Sequence, residues 1–161
     1  MSTLSRPSVV LGGIAALSLS AVAAALFTQH VWDMQPCPWC VLQRLIFVAI
    51  ALAAVLGLVW RSLTGFRLSM LLILAFSLAG VAAALWQHFV ASASASCNQT
   101  LADRIISATG LDGSLPDIFQ ARASCADAAA KLGGVPYEFW SLGLFTLFAV
   151  IALRCLVASR G

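Results

Sequence analysis

Two cysteines stand two residues apart in Pro36-Cys37-Pro38-Trp39-Cys40, just before a long apolar run from Val41 to Trp60. Such a dithiol closes a disulfide and opens it again wherever the backbone turns enough to bring the sulfurs into bonding range. The spacing places Cys40 in the first turn of a helix, where unpaired backbone N–H groups and the positive end of the helix dipole favour its thiolate. Arg44 follows one turn later on the same helical face and adds a fixed positive charge. Together these residues predict redox chemistry at a membrane surface.

Three more cysteines extend the pattern. Cys97 and Cys125 lie in the only long polar stretch, and alone they read as a brace worth about 3–4 kcal/mol. Beside a Cys-x-x-Cys they also read as a relay, because disulfides within reach of each other exchange by thiolate attack. Four cysteines allow three pairings, and sequence does not choose among them. A zinc site is disfavoured, since only one of the two pairs is closely spaced. His30 and His88, each at a helix exit, read as polar anchors in preference to paired haem ligands. Cys155 is expected to be a buried, inert thiol.

These residues need a membrane scaffold. Of 161 residues, 61% are hydrophobic and 9% charged, against about 25% charged in soluble domains. Four uncharged or nearly uncharged runs, about residues 9–27, 41–60, 68–86 and 139–157, are each long enough to cross a core of about 30 Å. The expected architecture is an all-α, single-domain, four-transmembrane-helix bundle, with outer loops at about 28–40 and 87–138. The first run is read as a span and not as a cleaved signal peptide, because it exceeds a usual signal core and further spans follow. Arg44 is expected to snorkel from the outer end of the second span.

Within the long loop, Ala91–Ser96 is a low-complexity lead-in. Thr100 and Asp103 form an imperfect capping box before a short helix that Gly110 stops. Leu115, Ile118 and Phe119 at helical spacing suggest a piece lying on the membrane surface. Gly133-Gly134-Val135-Pro136 is turn material. Most of the tryptophans lie near span ends, as an aromatic belt requires.

Charge sets the orientation. Arg6, Arg61, Arg67, Arg154 and Arg160 share one side with no acidic residue among them. The other side carries Asp33, Asp103, Asp112, Asp117, Asp127 and Glu138 against Arg104, Arg122 and Lys131. The positive-inside rule then predicts that both termini are cytoplasmic. Cys37, Cys40, Cys97 and Cys125 fall on the outer, oxidising side, where disulfides persist, and Cys155 near the inner face.

Gln29-His30-Val31, Pro36-Cys-Pro-Trp-Cys40, Gln43-Arg44, Trp86-Gln87-His88, the Cys97/Cys125 pair, and Pro136 with Trp140 together resemble the disulfide bond formation protein B (DsbB) family. The resemblance covers nearly the whole chain; it departs in the Ala/Ser approach to Cys97 and in Ala128–Ala130, where no aromatic follows Cys125. It implies a multi-pass protein of the bacterial inner membrane, with its long loop and active site periplasmic. The implied activity is thiol:quinone oxidoreductase: a periplasmic DsbA-like, thioredoxin-fold oxidase is reoxidised and its electrons pass to ubiquinone or menaquinone, supporting disulfide formation in exported proteins. The implied redox pairs are Cys37–Cys40 and Cys97–Cys125. Cys97 would form the mixed disulfide with the partner, Cys125 would exchange with Cys37, and Cys40 would face the quinone. Arg44 would support thiolate and quinone oxygens, and His88 matches a position near the quinone.

Energetics require such an acceptor. The potential of DsbA is known, about −120 mV, against below about −300 mV for ordinary structural disulfides. Oxidising that donor with an ordinary disulfide would run uphill by about 180 mV, roughly 8 kcal/mol for two electrons. The chain has no flavin or dinucleotide fingerprint, so a lipid-soluble two-electron acceptor is the economical choice. Two other readings remain: a reductase of the vitamin K epoxide type, which also joins a membrane Cys-x-x-Cys to a quinone, and a non-catalytic four-span protein whose disulfides brace the loop.

Overall fold

A computed structural model describes residues 7–93 and 99–159. Four long helices dominate it: α1 (Pro7–Val31), α2 (Pro38–Val59), α3 (Leu63–Phe89) and α7 (Tyr137–Ala158). Each is long and apolar enough to cross a membrane. The shortest have 22 residues, which at 1.5 Å per residue is about 33 Å. Three of these helices overrun the apolar runs at both ends, and α2 at its start, because intrahelical hydrogen bonds continue into the interface where side chains are already polar. Thus α1 keeps Gln29 and His30, and α3 starts inside the basic connection, where the Ser62 hydroxyl accepts from the Gly65 N–H at 3.0 Å.

The most deeply buried helix is α2, which packs on α1 and on α3, while α7 packs on α3. Phe47 of α2 stacks on Phe145 of α7 with ring centroids 4.2 Å apart, and Phe148 meets Phe47 edge-on. Gly80 of α3 makes room for this stack: a Cβ there would lie 2.5 Å from the Phe145 ring.

Between α3 and α7 the chain forms a cap at the cysteine end of the bundle. A single 3-10 turn (Ala91–Ala93) leaves α3; short helices α4 (Leu101–Thr109), α5 (Leu111–Ser114) and α6 (Pro116–Phe119) follow. The capping box at α4 is complete despite Asp in place of Glu, with the Thr100 hydroxyl accepting from the Asp103 N–H and the Asp103 carboxylate from the Thr100 N–H. Ala102 and Ile106 bury the inner face of α4 against α2. A minimal hairpin, β1 (Lys131–Leu132) with β2 (Val135–Pro136), returns the chain to α7; its Gly133 and Gly134 both hold positive φ, which a tight two-residue turn requires.

The α6 segment departs from its sequence expectation. Leu115 stays exposed, but Phe119 is buried and Ile118 packs on the core, so this apolar side faces the bundle and not a membrane surface. Two side chains draw it inward: Gln29 donates to the Asp117 carbonyl at 3.2 Å, and Arg44 to the Ile118 carbonyl at 3.1 Å.

Candidate active site

The dithiol forms at the start of α2. Cys37 is the N-cap, in extended conformation, and Pro38 occupies the first helical position, where its missing N–H costs nothing. The Cys40 N–H points at the Cys37 sulfur at 3.3 Å, and the two Sγ atoms are 2.9 Å apart. The helix terminus therefore presents this N–H to the N-cap residue Cys37. The Cys40 sulfur takes a different donor: the Gln87 amide at 3.3 Å, itself accepting from Gln43 at 2.7 Å.

Cys125 reaches this pair through the backbone. The Pro36 carbonyl accepts from the N–H groups of Arg122 and Ala123, at 2.9 and 3.3 Å, and so fastens the segment before Cys125 beside the residue before Cys37. The Cys125 thiol interacts with Cys37 and with the Trp39 backbone N–H. The three sulfurs thus form a row with Cys37 between its partners. The hydrogen bond from Cys37 lowers the Cys125 thiol below its ordinary range. Cys37 moves the other way, far up, because it donates to Cys125 and Cys40 and is buried. Cys97 lies outside the described residues. Cys155 is buried near the far end of α7, away from the row along the helix.

Arg44 does not snorkel. It is 6% exposed, and its guanidinium donates to Gln29 Oε1 at 2.6 Å, to the Ile118 carbonyl and, at 3.4 Å, to the Ala25 carbonyl. Three acceptors inside the bundle offset the desolvation that would otherwise drive the side chain to the interface. Arg44 and Cys40 share a cavity of about 250 Å³ whose facing walls come from α1 and α7, the outer helices of the bundle. Ala21, Ala24 and Leu144 make it apolar, and Gln43, Gln87, Tyr137 and Glu138 bring polar atoms to it. A mostly apolar cleft with a few convergent polar groups is the usual form of a small-molecule site.

His88 is not in the cavity wall. Its Nδ1 lies 2.7 Å from Glu138 Oε1, and Glu138 is in the wall. His30 is exposed and bonds the Leu26 carbonyl of its own helix. Trp39, in contrast to a belt residue, is buried and lies 6.2 Å from Trp86. Sequence reasoning assigned no role to Gln29, Gln43, Gln87, Tyr137 or Glu138. For Gln43, an amide inside an otherwise apolar span is the available signal, since lipid does not satisfy it.

A sequence profile for disulfide bond formation protein DsbB matches residues 7–155. The chain belongs to this family. It is 34% identical to disulfide bond formation protein B of Aromatoleum aromaticum, covering 92% of each chain, and 34% identical to that of Herminiimonas arsenicoxydans, over 93% of this chain and 94% of the relative. Disulfide bond formation protein B 1 of Pseudomonas syringae pv. syringae is 33% identical over 94% of this chain and 89% of its own. Membership in the DsbB family supports a part in disulfide bond formation as a multi-pass membrane oxidoreductase.

Proposed function

We propose that this single membrane domain reoxidises a DsbA-like, thioredoxin-fold dithiol carrier on the periplasmic side of the bacterial inner membrane and passes the electron pair to a quinone in the Cys40–Arg44 cavity. The observation that carries the reading is the row Cys125–Cys37–Cys40 with Cys40 alone of the three in the cavity wall. The sidedness of Arg61, Arg67 and Arg154, at the helix ends away from this row, supports cytoplasmic termini.

The exchange steps follow from the sulfurs. A carrier thiolate attacks Cys97 of a Cys97–Cys125 disulfide and releases Cys125 as the thiolate that its surroundings favour. Cys125 attacks Cys37 of the Cys37–Cys40 disulfide, and the leaving sulfur is Cys40, with the Gln87 amide on it and Arg44 in the same cavity. Resolution by the remaining carrier thiol and by Cys97 restores Cys97–Cys125 and leaves Cys37 and Cys40 reduced. Their electron pair then passes from Cys40 to the acceptor as Cys37–Cys40 closes. In sum, one dithiol becomes a disulfide while one quinone gains two electrons and two protons. Ubiquinone and menaquinone both present a planar apolar ring with carbonyl oxygens, which suits apolar walls and a guanidinium fork.

Purified protein, a reduced DsbA-like oxidase and a short-chain quinone test this directly through quinone absorbance. Reduction should require the oxidase and vanish in Cys40→Ser, while Cys97 still traps the partner. A wild-type protein that reduces neither ubiquinone nor menaquinone analogues would refute the relay and leave the cysteines as a brace.

A further inference from the structure

Glu138 and His88 form a couple that the thiol relay does not use. The Glu138 carboxylate lines the cavity together with Cys40 and Arg44. It forms no ion pair with Arg44, whose guanidinium donates to Gln29 and to two carbonyls; its bond is to His88 Nδ1 at 2.7 Å. The two side chains differ in access to water: Glu138 is 11% exposed and His88 is 33% exposed. His88 is braced in place by ring contacts with Phe89 and Phe139, at 4.9 and 4.7 Å. A carboxyl on the cavity wall, bonded to an imidazole that is more exposed, has the composition of a proton wire.

Reduction of the acceptor requires one. The carrier dithiol gives up two electrons through sulfur, and its two protons leave to outer water. The acceptor takes the same two electrons inside an apolar cavity and needs two protons on its oxygens. Among the cavity's titratable groups, Cys40 carries the electrons, Arg44 stays charged, and Tyr137 holds a weak acid whose hydroxyl lies 3.4 Å from Thr28. Glu138 alone joins an ionisable oxygen in the cavity wall to a bonded partner nearer the surface.

We propose that His88 and Glu138 conduct protons from the outer aqueous face to the acceptor, Glu138 donating to an acceptor oxygen and His88 reloading it from water. This rests on the quinone reading above. Each turnover passes two protons through the couple, and the carrier returns two to the same aqueous phase, so no net charge crosses the membrane.

Glu138→Gln keeps the shape and an acceptor for His88 but has no carboxyl proton. With quinone and reduced oxidase, kcat should fall at least about 100-fold, the lower reach of general acid catalysis, while the quinone KM stays within about twofold. Exchange of Cys97 with the oxidase, measured by trapping, should proceed as in wild type and so certifies the fold. Glu138→Asp should recover part of kcat, and imidazole in the buffer should partly restore His88→Ala. Redox-induced infrared difference spectra should contain a carboxyl band that Glu138→Gln lacks. An unchanged kcat in Glu138→Gln, a change confined to KM, or identical infrared spectra would overturn the proton route. Wild-type turnover is measured first: its absence would reject the quinone reading itself, whereas its presence with an unaffected Glu138→Gln rejects only this inference.

Discussion

Arg44 donates to Gln29 across the α1–α2 interface at 2.6 Å, and the same guanidinium holds the Ile118 carbonyl of the cap. One cation therefore ties two membrane helices and the cap together beside the Cys40 cavity. Lysine would keep the charge, but a single ammonium lacks the planar fork that serves several acceptors in fixed directions. Arg44→Lys should raise the apparent KM for quinone by about 10–100-fold, as expected from losing one or two charge-assisted hydrogen bonds, with a smaller effect on kcat. Steady-state rates over a range of quinone concentrations check this. Unchanged kinetics would remove Arg44 from the acceptor site.

The Pro36 carbonyl works as a latch for Cys125. It accepts two backbone N–H groups, those of Arg122 and Ala123, so side-chain changes at these positions leave the latch intact. Proline at position 122 removes one donor and restricts the preceding residue as well. Arg122→Pro should lower the yield of a trapped Cys37–Cys125 disulfide in a Cys40→Ser background at least about fivefold, in keeping with the loss of a hydrogen bond worth about 1 kcal/mol or more. Arg122→Ala, which loses only an exposed ion pair to Asp117, should trap at the parental level. Equal trapping in both variants would show that the latch does not place Cys125.

Much of this arrangement is legible in the chain itself, and the remainder is not for identifiable reasons. Apolar length marks the four spans, and Thr100, Asp103 and Gly110 mark α4, because these signals are local. Helix ends are missed by several residues, since polar side chains such as Gln29 do not interrupt a backbone ladder. Arg44 misleads in a different way. A lone charge in a span looks costly enough to seek water, and only the tertiary fold reveals the carbonyls of Ala25 and Ile118 turned toward it. The Pro36 latch is invisible for a similar reason, as it uses backbone atoms from segments far apart in sequence. Glu138 reads as one more outer acidic residue until His88 and the cavity are placed around it.

The opposite shifts of Cys37 and Cys125 predict which thiol reacts in the reduced protein. Alkylation consumes thiolate, so a thiol lowered in pKa reacts at lower pH and one raised in pKa lags. Cys125 is lowered because Cys37 donates to it, and Cys37 is raised chiefly by that same bond, then by the bond to Cys40 and by burial. Iodoacetamide labelling of dithiothreitol-reduced protein, read peptide by peptide, should therefore modify Cys125 with a midpoint below the ordinary thiol value of about 8.5. Cys37 should remain unlabelled through that range. The sign reverses for Cys125 when its donor is deleted: in Cys37→Ala the lowering by Cys37 is gone, burial remains, and the Cys125 midpoint should rise. A midpoint that stays low in Cys37→Ala would assign the effect to the Trp39 N–H instead. Equal labelling of Cys37 and Cys125 at every pH would contradict the order of attack, because the relay depends on Cys125 being the nucleophile and Cys37 the sulfur that it strikes.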